Sequence, residues 1–301
     1  NKIYSFHRSY NTATTVWDPS IIQYWGYSAS NKILLQVDSF LNPLNYSFDS
    51  KSVYVYDSND SVQVLTQSNW NTSLSAWQYS YRTQYSYTAT GKAYITLTQS
   101  FSGANWVNSY RYTYSYNIND QLVSLLAEQW NTGSSTWQNY YKYTYTNDAN
   151  GNVLVRIVQT WNTGSSIWVN SNRTTYAYNT INYVTSRIDE IWNTGTSSWL
   201  NNINETYTYN SLNIISSDLI KWWNTTLSSW KNHSQYTVTF DANNIPTAQI
   251  NQIWDDVNSV WENDYQYAFT NNNHRYQTFR FIQQWNTTMN TWSNIEQDFY
   301  W

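Results

Sequence analysis

The sequence predicts an all-β fold of tandem antiparallel β-hairpins, about ten units of ~31 residues in a single array over residues 1–301. The array is expected to form a long curled or spiral sheet, with a closed β-barrel as the architectural alternative. Three observations carry this prediction. The chain holds 30 Tyr and 19 Trp but only 7 Gly and 3 Pro, a composition suited to pleated surfaces. Trp residues recur in pairs seven apart. Between the pairs, large side chains alternate with polar ones at a period of two, the strand period.

The pairs are Trp70/Trp77, Trp130/Trp137, Trp161/Trp168, Trp192/Trp199, Trp223/Trp230, Trp254/Trp261 and Trp285/Trp292. Degenerate versions stand at Tyr10/Trp17, Phe40/Tyr46 and Phe101/Trp106. First members therefore fall at 10, 40, 70, 101, 130, 161, 192, 223, 254 and 285, a step close to 31 throughout. Such regularity is the mark of one supersecondary motif copied along the chain.

Each unit reads as two strands and two turns. After Trp137 come Tyr141, Tyr143 and Tyr145, all of one parity; then the turn Asn147-Asp148-Ala149-Asn150-Gly151; then Val153, Val155 and Ile157 leading into Trp161. Asn, Asp, Ser and Gly are turn formers because they bond nearby backbone and tolerate left-handed dihedrals. If Trp161 faces Trp168, cross-strand partners sum to 329, which pairs Val153 with Tyr176 and Ile157 with Asn172. With Tyr145 opposite Val153, one row along the sheet reads Tyr145, Val153, Tyr176, Val184, Tyr207, Ile215, Val238, Pro246, Phe269. Aromatic against β-branched is a favourable cross-strand pair, so this ladder is expected to be core, with the Trp pairs capping it on the same face. The opposite row brings Lys142, Arg156, Arg173 and Arg187 onto adjacent strands, with Asp189 two residues away. That row is expected to be a solvated face or, more sharply, a stripe that binds an anionic glycan.

Other chemistry is sparse. There is no Cys, and His7, His233 and His274 stand apart without metal-ligand spacing. No Gly-x-Ser-x-Gly elbow or Gly-rich phosphate loop occurs. No enzymatic activity and no cofactor are expected. A net charge of −4 gives no reason to expect a nucleic-acid partner, and no apolar run is long enough for a transmembrane helix. Asp255 and Asp256 replace the usual Asn-Thr of one hairpin and form a weak calcium candidate, since oxygen-rich loops can hold that ion. The start at Asn1, without Met, fits a processed secreted chain.

The stretches Tyr-Lys-Tyr-Thr-Tyr-Thr-Asn-Asp-Ala-Asn-Gly-Asn (141–152) and Tyr-Thr-Val-Thr-Phe-Asp-Ala-Asn-Asn (236–244) resemble the Tyr-Asp (YD) repeats of Rhs-like surface proteins. The interleaved Gln-x-Trp-Asn-Thr pattern resembles the version found in secreted proteins of Bacteroidota. The resemblance implies an extracellular or cell-surface array exported by type IX secretion and followed by a sorting domain. The expected function is a non-enzymatic structural or adhesive protein that associates with itself, through open edge strands, or with other surface proteins. The rival expectation is a carbohydrate-binding array that stacks sugars on Trp161, Trp168, Trp192 and Trp199, or holds an acidic glycan at Lys142, Arg156, Arg173 and Arg187.

Overall fold

The computed structural model describes residues 2–11, 16–42, 45–271 and 277–299. It is all-β, and its strands run in hairpin order. The first ten are β1 (Lys2–Asn11), β2 (Val16–Tyr27), β3 (Ile33–Asn42), β4 (Asn45–Tyr56), β5 (Val62–Asn71), β6 (Ala76–Tyr87), β7 (Ala93–Ser102), β8 (Asn105–Tyr116), β9 (Leu122–Asn131) and β10 (Thr136–Asn147). Then follow β11 (Val153–Asn162), β12 (Ile167–Tyr178), β13 (Val184–Asn193), β14 (Ser198–Tyr209), β15 (Ile215–Asn224), β16 (Ser229–Phe240), β17 (Pro246–Asp255), β18 (Val260–Asn271), β19 (Gln277–Asn286) and β20 (Thr291–Phe299). Two compact units can be distinguished, Asn1–Tyr143 with Thr160–Ile167, and Thr144–Gln159 with Trp168–Trp301.

In the first unit β1 through β9 pair consecutively and antiparallel. In the second the same holds for β12 through β20. The predicted facing of the Trp pairs is met: Trp70 opposes Trp77, Trp192 opposes Trp199 and Trp254 opposes Trp261. Among the degenerate versions, Tyr10 opposes Trp17 and Phe101 opposes Trp106, but Tyr46 opposes Leu41 rather than Phe40. With Asn42 opposite Asn45, facing residues in this hairpin are an odd number of positions apart, as Phe101 and Trp106 are, whereas Phe40 and Tyr46 stand six apart.

Beyond the Trp pair the predicted register fails, and the reason is a β-bulge. Glu190 pairs with Asn201 but Asp189 pairs with Ile203, so Asn202 is an extra residue in β14. A second bulge follows the other turn, where Tyr209 opposes Ile215 but Thr208 opposes Ser217. A bulge sets two residues against one and reverses the side-chain parity beyond it. Hence Tyr176 opposes Arg187 instead of Val184, Tyr207 opposes Asp218 instead of Ile215, and Val238 opposes Gln249 instead of Pro246. The Trp pairs and the Tyr ladder therefore lie on opposite faces, not on one. The cations separate too: Arg173 opposes Glu190 on the Trp face, whereas Arg187 opposes Glu205 on the Tyr face.

Burial follows the bulged register. Ala127, on the Tyr face of the first unit, is the one fully buried hydrophobic side chain among the described residues. The other deeply buried groups are polar, including Ser68, Thr83, Thr174, Glu190, Glu205 and Asp218. Most Tyr side chains are half-buried, and Tyr79, Tyr81 and Tyr140 are exposed. The expectation of an apolar Tyr-aliphatic core is corrected accordingly. The strands are held by side chains that reach across them more than by a dry interior.

The turns are built for their dihedrals. In each Trp hairpin an Asn or Asp carboxamide or carboxylate oxygen accepts a backbone N–H three residues on, as Asn71 does from Leu74, Asn131 from Ser134 and Asn224 from Leu227. The next residue then takes a left-handed conformation, with φ of 49° at Ser75, 52° at Ser135 and 49° at Ser197. In the other turn Asp148 accepts the N–H groups of Asn150 and Asn152. Gly151 there supplies a φ of 90°, open to glycine without steric cost.

Candidate functional site

On the Trp face the repeat builds a stack of its own. The rings of Trp192 and Trp199 meet edge to face, with centroids 5.0 Å apart and planes at 71°. The geometry recurs at Trp70/Trp77, Trp223/Trp230 and Trp254/Trp261. Five residues after the second Trp, beyond the bulge, the chain often places a cation. Its charge lies over the second Trp of the following hairpin: Lys51 over Trp77, Arg82 over Trp106, Arg111 over Trp137 and Arg173 over Trp199, at 4.8 to 5.1 Å. Arg111 also forks onto Glu128, at 2.7 and 2.8 Å. Arg173 forks in the same way onto Glu190, its Nη2 lying 2.6 Å from Oε1. Carboxylate and ring thus hold one guanidinium between them, a planar arrangement that Lys cannot copy.

The four cations expected to form one stripe are distributed otherwise. Lys142, in β10 of the first unit, occupies the repeat position of Arg111 and Arg173 and is half-buried. Arg173 is taken up by Glu190 and Trp199. Arg156 and Arg187 belong to a polar chain in the second unit. There Arg156 Nη2 donates to Thr174 Oγ1 at 3.1 Å, and Thr174 donates on to Asp189 Oδ1 at 2.8 Å. Arg187 Nη2 lies 3.2 Å from Asp189 and 3.0 Å from Glu205. Trp161 and Trp168 hold the same places in β11 and β12 as Trp192 and Trp199 do in β13 and β14, and all four are half-buried.

Asp255 and Asp256 are both engaged. Asp255 caps its turn, accepting from the N–H groups of Val257 and Asn258 and from the Asn258 side chain. These bonds favour its ionised form and lower its pKa. Asp256 lies 3.1 Å from Lys231 Nζ. Among the described residues no cluster of three or more His, Cys, Asp or Glu could hold a metal ion.

The polar chain on the Tyr face continues into residues that the sequence reading passed over. Asp218 follows Glu205 on the next strand and is only 8% exposed. Burial, then the neighbouring Glu205 carboxylate, push its pKa up to about 7, against the pull of Arg187. Burial likewise raises Asp264. Tyr207, beside Glu205 and Asp218, is held well above the usual phenol range, chiefly by burial. Asp218 and Asp264 line a cleft of about 220 Å³ with Tyr236 and Asn251, walled by Ile220 and Ile253. The signal was present in the repeat alignment. The position of Glu205 is Thr83 and Tyr112 in the first unit, and that of Asp218 is Leu65, Thr96 and Leu125. Trp222 was also passed over: it is 51% exposed and stacks on His233 with centroids 3.6 Å apart.

No family model matches the chain, and no curated protein does. Solved structures similar to it include a protein of unknown function from Bacteroides fragilis, at 18% identity over 42% of this chain and 91% of that one, with a TM-score of 0.36. A porin-like protein from Bacteroides uniformis aligns at 12% identity over 71% of this chain and 88% of that one, with a TM-score of 0.34. The Tc holotoxin pore of Photorhabdus luminescens aligns at 10% identity over 90% of this chain and 18% of that one, with a TM-score of 0.30. Among the described residues no helix is long and apolar enough to cross a membrane.

Proposed function

We propose that this chain is a non-enzymatic structural or adhesive repeat protein, located at the cell surface or outside the cell, that associates with copies of itself or with other surface proteins. In this reading it is of the YD, Rhs-like type that Bacteroidota export by type IX secretion. The observation that supports it is the use the repeat makes of its own recognition chemistry. Aromatic faces and guanidinium groups are what a sugar-binding or anion-binding array would leave open. Here Arg82, Arg111 and Arg173 cover Trp106, Trp137 and Trp199, and Arg173 and Arg187 are paired with carboxylates. Side chains spent on joining strand to strand support a scaffold.

The test combines sedimentation velocity over a wide concentration range with a glycan array. Reversible growth of larger species, without selective glycan retention, is expected. A chain that stays monomeric at every concentration overturns the self-association. The carbohydrate-binding reading has one observation in its favour, the exposed ring of Trp222. It replaces the first if selective glycan retention is lost in Trp222→Ala, or in Trp192→Ala with Trp199→Ala, while the circular dichroism spectrum is unchanged.

A further inference from the structure

We infer that Tyr110 and Tyr140, in the first unit, are a site of oxidative modification, where a one-electron oxidant joins the two rings through a carbon–carbon bond. The first ground is placement. Tyr110 lies on β8 and Tyr140 on β10, the strands that flank β9. Their ring centroids are 6.1 Å apart and the ring planes are tilted by 39°. Coupled phenol rings are twisted about the new bond, so a tilted pair is closer to the product than a parallel or perpendicular one. Tyr140 is 48% exposed, open to an oxidant and free to change rotamer, which closes the remaining gap.

Tyr140 is also a departure from the repeat. It is the third residue after Trp137, the bulge position, where other hairpins hold Ser80, Ser109, Ser171, Asn202, His233 or Asp264. An aromatic ring at that position is what brings a second phenol to Tyr110.

The second ground is the freedom of the hydroxyls. Oxidation takes an electron and a proton from a phenol, so a phenol that holds its proton tightly reacts poorly. Tyr87, Tyr178 and Tyr209 donate their hydroxyls to the carbonyls of Val62, Val153 and Val184, and burial raises the pKa of all three. That disfavours the pairs they form with Tyr85, Tyr176 and Tyr183, although Tyr183 and Tyr209 are only 5.3 Å apart. Tyr112 and Tyr141 are bonded to each other through their hydroxyls, and burial pushes both up, Tyr141 to about 12. That disfavours Tyr110/Tyr112, Tyr140/Tyr141 and Tyr141/Tyr143. The hydroxyls of Tyr110 and Tyr140 have no partner among the described residues.

The third ground is composition. Thiols and thioethers are readily oxidised and quench tyrosyl radicals. The chain has no Cys, and its one Met, Met289, belongs to the second unit.

The reaction balances simply. Each phenol loses one electron and one proton. The two ortho carbons then bond, and the hydrogen on each passes to a phenol oxygen as the rings regain aromaticity. The pair loses two hydrogens in all, and one hydrogen peroxide, reduced through a haem peroxidase, takes them up as two waters. The product staples β8 to β10 across β9.

The experiment treats the folded full chain, at low concentration, with hydrogen peroxide and a haem peroxidase. Material with the mass of a single chain is then digested with trypsin and its fragments are sequenced by mass spectrometry. Cleavage after Arg111 and Lys142 puts Tyr110 and Tyr140 in different fragments. Expected is one linked pair of these fragments, two hydrogens lighter than their sum, bonded at Tyr110 and Tyr140 and showing dityrosine fluorescence. Tyr140→Phe should abolish the linked pair and Tyr141→Phe should retain it, each with an unchanged circular dichroism spectrum. If Tyr140→Phe does not fold, Tyr110→Phe gives the deciding measurement. In urea the preference should vanish and links should scatter among many Tyr. No linked fragments, a bond at another Tyr pair, links only between chains, oxygen addition at Trp alone, or an undiminished yield in Tyr140→Phe overturns the assignment. Because only single chains are read, the site stands or falls separately from self-association.

Discussion

Single side chains in this protein are set against specific partners across the strands, and the consequences of changing them differ in sign. Arg173 neutralises Glu190, whose carboxylate is nearly buried, and covers the Trp199 ring. Arg173→Ala leaves that carboxylate unpaired and should cost about 2 kcal/mol in urea denaturation. Arg173→Lys should recover only part of the loss, because an ammonium cannot fork onto a carboxylate. Asp218 behaves in the opposite way. Its folded pKa lies above its unfolded value of about 4, so the native state holds a proton that the unfolded chain has already released. Stability from this group is complete at low pH and is lost as pH rises from about 4 toward about 7. Asp264, raised for the same reason, adds to the slope. Thermal melts across that interval should show a falling Tm, and Asp218→Asn should flatten the fall. A Tm that rises over the interval in the wild-type chain would contradict the buried, proton-holding state.

At the scale of the hairpin, turn geometry and one recurring clamp do the aligning. In β4, β6, β8, β12 and β14 the last Tyr donates its hydroxyl to the carbonyl that opens the preceding short strand. Tyr56 reaches Ile33, Tyr87 reaches Val62, Tyr116 reaches Ala93 and Tyr209 reaches Val184, at 2.6 to 2.8 Å. Tyr209→Phe should cost about 1 kcal/mol, the net value of one hydrogen bond. Ser197 sits at a φ of 49°, where L residues are strained, so Ser197→Gly should stabilise by up to about 1 kcal/mol. Guanidinium denaturation would measure both. The hairpins, their period and their Trp partners were legible in the sequence because Trp and turn residues mark each unit's corners. The bulges were not. Asn202, His233 and Asp264 all occupy the bulge position after the second Trp and share no residue type. The Tyr residues also keep an even spacing from the Trp, so nothing in the parity betrays the reversal. With the bulges hidden, Arg173 and Arg187 looked like neighbours on one face, and Glu205 and Asp218 were not recognised as a pair.

Across each unit, the substantial strand contacts join consecutive strands. Stability in such arrays is approximately a sum of local terms and nearest-neighbour terms. Glu128→Ala, which frees Arg111 in the first unit, and Glu190→Ala, which frees Arg173 in the second, share no partner. Their effects should add within about 0.5 kcal/mol in the double variant. A larger deviation would mean that a perturbation travels through many strands. The same locality explains how one unit carries a charged network while the equivalent positions of the other hold neutral residues such as Thr83, Leu65 and Ala127.

The bulge after each Trp pair has one further consequence. By turning the remainder of the strand over, it assigns cohesion and chemistry to different sides of the same ribbon. Trp pairs and their covering cations can stay constant on one side while the other side is rewritten unit by unit. The Glu205–Asp218 arrangement is therefore portable. Glutamate at Thr83 on β6 and aspartate at Thr96 on the adjacent β7, the matching places in the first unit, would install an acidic pair without touching a single Trp. A protein built in this way can acquire a new surface by copying a unit and editing half of it.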